Sequence, residues 1–224
     1  MMLWTNDSEL FALMQEKLFS AVVGDILDEM GLVHQFLPRE IAPLRADMVV
    51  AGRAMTVLEQ DVSESVSAAK PFGLMLEALD DLKPNEVYLA TGGSPTYAMW
   101  GELMSARAIH LGAAGAVLNG CSRDTRGILD LHFPTFSLGP YAQDQRGRGQ
   151  VVDFRVDLKI GEVGVKTGDI IFGDVDGVVV IPRSAEVEAL TRAVEKVEKE
   201  DLVRTAIERD GMSTVAALAK FGVM

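Results

Sequence analysis

The segment from Gly92 to Asp124 constrains the fold of this 224-residue chain more than any other part of it. A glycine loop at 92–94 is followed by a pattern typical of a helix over about 99–111 and by a short apolar strand at 116–119. A second loop at 120–124 then ends in Arg-Asp. Loops beyond the carboxyl ends of strands are frequent ligand sites in α/β proteins. The segment therefore predicts one pocket built from two loops and a helix N-terminus.

Three charged side chains are the candidates for that pocket, namely Glu102, Arg123 and Asp124. A guanidinium group matches a carboxylate bidentately, and an aspartate offers the hard oxygen that Mg²⁺ or Mn²⁺ prefers. Free N–H groups in the first helical turn bind anions, and Gly101 allows a ligand to approach the backbone closely. These residues together suit a divalent metal ion and a small anionic substrate.

Each of these features also has a purely structural interpretation. The glycines at 92–93 are compatible with a simple turn, and Arg123 with Asp124 is compatible with a local ion pair in a loop. Glu102 is compatible with a favourable charge at the positive end of a helix dipole. The residues alone leave both interpretations open.

Composition narrows the class of protein. The net charge of −12, with no long basic run, argues against direct binding to nucleic acid. No apolar stretch is long enough to span a bilayer, the N-terminus lacks a signal-peptide pattern, and Cys121 is the single cysteine. We therefore expect a cytoplasmic protein that does not act at a membrane and has no disulfide framework.

The order of predicted elements indicates an α/β fold with a single domain spanning 1–224. Helices are predicted over about 8–31, a core over about 45–182 and a charged helical arm over about 183–224. Strands and helices alternate only in the middle, and the second half is rich in strands, which disfavours a doubly wound sheet. A layered sandwich of sheets and helices fits the pattern better. The polar stretch 60–70 is a candidate loop for selecting the substrate.

Five sequence segments together resemble the RraA-like family. They are Ser20-Ala21-Val22-Val23-Gly24-Asp25-Ile26-Leu27-Asp28-Glu29-Met30-Gly31, Ala51-Gly52-Arg53-Ala54-Met55-Thr56-Val57, Gly101-Glu102-Leu103, Gly120-Cys121-Ser122-Arg123-Asp124 and the hairpin 168–182. The family includes metal-dependent 4-hydroxy-4-methyl-2-oxoglutarate/4-carboxy-4-hydroxy-2-oxoadipate aldolases and the regulator of ribonuclease E activity. The resemblance implies a three-layer α/β/β sandwich similar to swivelling phosphohistidine domains. It also implies a homotrimer, sometimes paired into a homohexamer.

The same resemblance implies roles for individual residues. Arg123 binds the pyruvyl part of the substrate, and Asp124 holds Mg²⁺ or Mn²⁺. Glu102 helps to hold metal-bound water, and the backbone N–H groups of Leu103 and Met104 cradle the substrate carboxylate. A glutamate on the C-terminal helix of a neighbouring subunit completes the site, and Glu200 matches it better than the alternative, Glu198.

The implied activity is a retro-aldol cleavage of a 4-hydroxy-2-oxo acid that releases pyruvate, with oxaloacetate decarboxylation as a side activity. The alternative is a protein-binding regulator that masks the surface of a ribonuclease, for which the acidic charge is suitable. A binding protein has no need of the Glu102, Arg123 and Asp124 set, so the sequence favours the enzyme.

Overall fold

The computed structural model describes residues 3–63 and 70–223. Within those ranges the chain forms seven helices and twelve strands, which confirms the predicted α/β class. The helices are α1 (Asp7–Lys17), α2 (Ser20–Glu29), α3 (Met75–Asp80), α4 (Glu102–His110), α5 (Thr125–Asp130), α6 (Glu186–Asp210) and α7 (Thr214–Phe221). The strands are β1 (Ala42–Pro43), β2 (Val50–Asp61), β3 (Glu86–Thr91), β4 (Ala98–Trp100), β5 (Gly115–Leu118), β6 (Cys121–Ser122), β7 (Thr135–Ser137), β8 (Gly149–Phe154), β9 (Leu158–Ile160), β10 (Val163–Val165), β11 (Ile170–Asp174) and β12 (Gly177–Ile181).

The main sheet is mixed and has the strand order β1-β7-β5-β3-β2-β11-β12, with β8 added on β2. Strands β2, β3, β5 and β7 run parallel to one another, whereas β8 and β11 pair with β2 in the antiparallel sense. The parallel half carries the crossover helices, and the antiparallel half carries the hairpin β11–β12. The sheet is therefore built from two halves that share the long central strand β2.

One connecting segment brings the two edges of this sheet together. The backbone N–H of Leu37 donates to the carbonyl oxygen of Val178, and that of Val180 donates to the carbonyl oxygen of Gln35, at 2.9 and 2.8 Å. The same segment then continues into β1, which pairs with β7 at the opposite edge. The sheet consequently curls into a nearly closed, barrel-like shape.

Alternation along the strands divides the apolar residues between the inside and the outside of the curled sheet. In β3, Val87 and Leu89 point to the inner cluster, while Tyr88 and Ala90 point to an outer cluster under α3, α4 and α5. A second outer cluster lies under α1, α2 and α6. In the part of the chain that the structure describes, no helix combines the length and the apolar character needed to cross a bilayer.

Some predicted boundaries differ from those of the structure. The helix predicted over 99–111 begins only at Glu102, because residues 98–100 form the strand β4. The pairing of β2 with β8 is irregular between Leu58 and Glu59. Of the polar stretch 60–70, residues 64–69 lie outside the described residues, so its suggested role in substrate selection stays a prediction.

Arg53 in β2 connects both helical ends of the chain to the sheet. Its guanidinium donates to Asp7 in the first turn of α1 at 2.6 and 2.9 Å, and it also pairs with Glu186 in the first turn of α6. A further bond reaches the carbonyl oxygen of Gly168 at 3.3 Å. The Arg53 side chain is only 13% exposed, so these partners replace most of its hydration.

We expect Arg53→Ala to lower the free energy of unfolding by about 2–4 kcal/mol, because it leaves the Glu186 carboxylate half-enclosed without a partner. Urea denaturation of the variant and the wild type measures this difference. Arg39→Ala is the matched control, since Arg39 is 94% exposed and, among the described residues, pairs with its neighbour Glu40 alone. Equal stability of the two variants would contradict the assignment.

Candidate active site

A short parallel pairing between β4 and β6 brings the two halves of the predicted pocket together. Ala98 is opposite Cys121 and Trp100 is opposite Ser122 in this ladder. The backbone N–H of Arg123 continues it by donating to the carbonyl oxygen of Trp100 at 2.9 Å. The start of α4 and the Arg-Asp loop therefore lie side by side, although 20 residues separate Glu102 from Arg123.

The first turn of α4 is fixed from inside the protein. Trp100 is buried, and its indole N–H donates to the hydroxyl of Ser105 at 2.8 Å. That hydroxyl donates in turn to the carbonyl oxygen of Gly101, the N-cap residue, at 3.1 Å. The amides of Glu102, Leu103 and Met104 precede the first intrahelical donor, the N–H of Ser105, which bonds to the carbonyl oxygen of Gly101. They therefore have no acceptor within the helix and stand at the positive end of its dipole. They form the helix N-terminus with free amides that the sequence predicted, and its binding of an anion stays a prediction.

Two glycines leave the space that the carboxylates of Asp124 and Glu102 occupy. A Cβ atom added to Gly101 would lie 2.6 Å from Oδ2 of Asp124, and one added to Gly127 would lie 2.3 Å from Cδ of Glu102. Each carboxylate thus packs over a glycine on the opposite segment. Asp124 itself is the N-cap residue of α5 and has a left-handed backbone, with φ of 56°. This conformation turns the chain sharply between Arg123 and α5.

Arg123 is flanked by two carboxylates. Its Nε lies 3.7 Å from Oδ2 of Asp124, and its Nη1 lies 3.3 Å from Oδ1 of Asp144. All three side chains are between 38% and 46% exposed, so these are solvent-screened pairs that a substrate carboxylate can displace. The structure therefore contains the local Arg123–Asp124 ion pair of the structural interpretation. The guanidinium nevertheless remains accessible to solvent and to a ligand.

A cavity of about 400 Å³ opens beside these groups. Its charged lining residues are Arg123, Asp124, Asp144, Arg107 and Asp80, and Gly101, Leu103 and Met104 contribute the start of α4. The rest of the wall is mainly apolar and includes Phe72, Met75, Leu76, Leu79, Met99 and Trp100. The volume is in the range of sites for small organic ligands.

The predicted site residue Glu102 is not part of this lining, and Glu200, His132 and Cys121 also lie outside it. Glu200 of the same chain is on α6, where it lies 3.9 Å from Lys196 and lines a separate groove with Val203 and Arg204. His132 is exposed beyond the end of α5. Cys121 is buried beneath the site, and burial raises the pKa of its thiol, as expected for a packing residue rather than a nucleophile.

The structure adds three residues that sequence reasoning missed. Asp144 and Gln145 come from the polar loop 139–149, which has no periodicity to mark them. Glu59 is 3% exposed behind that loop, and its carboxyl oxygen accepts a hydrogen bond from Nε2 of Gln145. Burial, with a smaller effect from Asp61, raises the pKa of Glu59 to about 8. The sequence contains one indication that Glu59 is buried. Met55, Val57 and Glu59 occupy every second position of a strand, so their side chains lie on the same face.

These features define a class of protein. It is an α/β protein in which a helix N-terminus with free amides, an arginine and an aspartate line one cavity. Comparison with known proteins identifies the family. The RraA-like family model, described as Aldolase/RraA, matches residues 20–180, which is well over half of the chain. The chain therefore belongs to the RraA-like family.

Named relatives agree with that assignment. A protein of Halalkalibacterium halodurans named "Putative 4-hydroxy-4-methyl-2-oxoglutarate aldolase" is 32% identical over 88% of this chain and 89% of its own length. An uncharacterized protein from Pseudomonas syringae pv. tomato is similar in structure, with a TM-score of 0.85, 26% identity and coverage of 98% and 97%. Streptomyces coelicolor RraAS2, titled a member of the RNase ES inhibitor RraA family, has the same fold, with a TM-score of 0.77, 24% identity and coverage of 90% and 98%.

We expect Glu59→Gln to stabilise the protein in a pH-dependent way. The unfolded state loses its Glu59 proton above about pH 4.5, whereas the folded state keeps it to about pH 8, so the native carboxyl lowers stability as pH rises through that window. Glutamine retains the acceptor for Gln145 and has no proton to lose. The gain is near zero at pH 4 and on the order of 3 kcal/mol at pH 8.

Urea denaturation of both proteins across this pH range measures the gain. Glu162→Gln is the control, because the Glu162 side chain is 80% exposed. A gain for Glu59→Gln that is the same at pH 4 and pH 8 would show that Glu59 is ionised in the folded protein.

Proposed function

We propose that this chain is a divalent-metal-dependent lyase that cleaves a 4-hydroxy-2-oxo acid and releases pyruvate. Oxaloacetate decarboxylation is a related activity of the same site. One observation carries the proposal: Arg123, Asp124 and the N-terminus of α4 meet at one cavity through the β4–β6 pairing. Glu102 lies in the first turn of α4, with its carboxylate against Gly127. The relative named as an aldolase supports the reaction class.

The residues present fit a hard divalent cation such as Mg²⁺ or Mn²⁺. Asp124 presents a half-exposed carboxylate over Gly101, whose missing side chain leaves the space that the carboxylate occupies. Glu102 adds a second exposed carboxylate from the adjoining helix. Oxygen donors of this kind are those that Mg²⁺ and Mn²⁺ prefer, and Mg²⁺ commonly uses only one or two protein carboxylates. When bound, such a cation withdraws electron density from the 2-oxo group.

The reaction requires a place for developing negative charge. In the cleavage, the bond between C3 and C4 breaks and its electron pair stays on C3 of the pyruvyl unit, while the 4-hydroxyl group loses its proton and becomes a carbonyl. Decarboxylation of oxaloacetate leaves the electron pair on the equivalent carbon. Both reactions therefore generate the enolate of pyruvate.

Each residue of the site has its own role in this proposed reaction. Arg123 holds the pyruvyl unit and stabilises the enolate oxygen, and the amides of Leu103 and Met104 bind the carboxylate at the helix N-terminus. Asp124 holds the metal, and Glu102 is the nearby carboxylate that helps to accept the hydroxyl proton. In this proposal Glu200 from a neighbouring subunit of a homotrimer or homohexamer completes the site. The three-layer α/β/β description and the likeness to swivelling phosphohistidine domains belong to the same proposal.

The second candidate function is a protein-binding regulator of a ribonuclease. The net charge of −12 and the names of structural neighbours with this fold favour it. A regulator would tolerate the loss of Arg123, whereas an enzyme would not. A binding assay against a purified ribonuclease, run with wild type and Arg123→Ala, separates this function from catalysis.

We expect Arg123→Ala to lower the rate of pyruvate release from oxaloacetate by about 10²–10³-fold, or about 3–4 kcal/mol of transition-state stabilisation. The assay uses Mn²⁺, and excess EDTA is expected to abolish the activity. Arg126→Ala is the matched control, because Arg126 is 97% exposed and lies 3.9 Å from Asp130. Rates that are equal in wild type and Arg123→Ala would reject the role of Arg123.

We expect Gly101→Ala to weaken Mn²⁺ binding at least tenfold, because the new methyl group displaces Oδ2 of Asp124. Isothermal titration calorimetry with Mn²⁺ alone measures the affinity. Gly164→Ala provides the control, since a Cβ atom there meets nothing within 4 Å among the described residues. Unchanged affinity in Gly101→Ala would place the metal away from Asp124.

A further inference from the structure

The polar loop 139–149 is held from inside the protein by a buried polar pair. Glu59 in β2 and Gln145 in the loop are each 3% exposed, and Nε2 of Gln145 donates to Oε1 of Glu59. The carbonyl oxygen of Gln145 also accepts from the backbone N–H of Gly149 at 3.0 Å, which closes a turn. The position of Gln145 is therefore set by its side chain and its main chain together.

Asp144, the residue before Gln145, connects this anchor to the candidate site. Its Oδ1 lies 3.3 Å from Nη1 of Arg123, and both Asp144 and Gln145 line the cavity. Asp124 lies on the other side of the guanidinium, 3.7 Å from Nε. A guanidinium has five N–H donors in one rigid plane, so two flanking carboxylates orient that plane and leave other donors for a ligand.

The surroundings of Glu59 favour an uncharged carboxyl group. Asp61 on the same strand adds a negative charge, and Tyr88 in β3 and Tyr97 contribute phenol groups rather than cations. The neighbour of Glu59 in β8 is Val151. Glu59 forms no ion pair with any of the described residues, and burial, with a smaller effect from Asp61, raises its pKa to about 8.

The packing around Glu59 is tighter on one side than on the other. A Cβ atom added to Gly92 would lie 2.1 Å from the carbonyl oxygen of Glu59, and one added to Gly93 would lie 2.9 Å from its Cγ. Gln145, in contrast, meets Glu59 through a side chain. A buried carboxylate without a compensating partner is costly, so ionisation of Glu59 favours an opening on the side of Gln145 that admits water.

We propose that Glu59 is a positioning residue for the reaction: its neutral carboxyl group, through Gln145, holds Asp144 against Arg123, and its ionisation releases that contact. This inference rests on the proposed function, because it takes Arg123 as the anchor for the pyruvyl unit. Glu59 itself is not part of the cavity lining. Release of Asp144 leaves the guanidinium oriented from one side only, so pyruvate binds more weakly at alkaline pH.

Calorimetry with pyruvate and Mg²⁺, at pH 6.5 and pH 8.5, tests this on wild type and Glu59→Gln. Glutamine keeps the acceptor for Gln145 and does not ionise, whereas a carboxyl with a pKa of about 8 is about three-quarters ionised at pH 8.5. The ratio of the wild-type Kd to the variant Kd cancels pH effects common to both proteins. We expect a ratio near one at pH 6.5 and of about three or more at pH 8.5.

Glu162→Gln is the control for this comparison, because the Glu162 side chain is 80% exposed, and it should follow wild type at both pH values. A ratio of wild type to Glu59→Gln that stays near one at pH 8.5 would overturn the inference.

The same comparison in an Asp144→Ala background tests the route from Glu59 to Arg123. If Glu59 acts through Asp144, the ratio is near one at both pH values once Asp144 is removed. A ratio of about three or more that persists at pH 8.5 in this background would show that Glu59 acts on the site without Asp144. That result would overturn the positioning role.

Glu59→Ala tests the neutral form of the anchor, because it leaves the amide of Gln145 without its acceptor. It is expected to weaken pyruvate binding by about threefold or more at pH 6.5, where Glu59→Gln retains the wild-type affinity. Wild-type affinity in folded Glu59→Ala would contradict the proposal. If Glu59→Ala does not fold, the comparison with Glu59→Gln at the two pH values decides.

Arg123→Ala separates this inference from the proposed function. Pyruvate binding at pH 6.5 that is equally weak in wild type and Arg123→Ala would remove the anchor, and both proposals would fail. Binding that depends on Arg123, together with a ratio near one at pH 8.5, would overturn the inference and leave the proposed function standing.

Discussion

The pairing of β4 with β6 is the interaction on which the candidate site depends. These are strands of three and two residues, and they form a two-stranded sheet separate from the main one. Their ladder nevertheless fixes the distance between the N-terminus of α4 and the Arg-Asp loop, since the carbonyl oxygen of Trp100 accepts from the backbone of Arg123. The buried indole of Trp100, packed between Tyr88 and Phe133, holds this ladder against the core. The side chain thus couples the position of the site to the packing of the sheet.

The two glycines explain why the charged residues can approach as closely as they do. Gly101 lies under Asp124 and Gly127 lies under Glu102, so each segment gives up a side chain where the other presents a carboxylate. Neither position needs a left-handed backbone, because Gly101 is extended and Gly127 is within α5. The requirement is for space alone. Such a requirement leaves no periodic pattern in a sequence, and it becomes visible only when the two segments are placed side by side.

Much of the fold could be predicted from periodicity, because amphipathic elements such as α2 impose a clear pattern. The candidate residues Glu102, Arg123 and Asp124 were also predictable, since a helix start and a loop after a strand lie at the same edge of a parallel sheet. The strand β4 was not, because Ala98-Met99-Trp100 is apolar and continuous with the helix pattern that follows. The contact of the polar loop 139–149 with Arg123 was not predictable either, because it depends on tertiary structure.

The position of that loop follows from a buried carboxyl group rather than from its own sequence. Glu59 accepts from Gln145, and the adjacent Asp144 faces Arg123, so one loop joins a buried acid to the exposed arginine of the site. Tyr97, wedged against Gly93 and Gly149, donates to Asp61 at 2.9 Å and holds the base of the loop. Because the Glu59 carboxyl is buried with its pKa raised to about 8, it is neutral over most of the physiological range. The loop and its buried anchor then add one negative charge beside Arg123, that of Asp144, to the charge that Asp124 already places there.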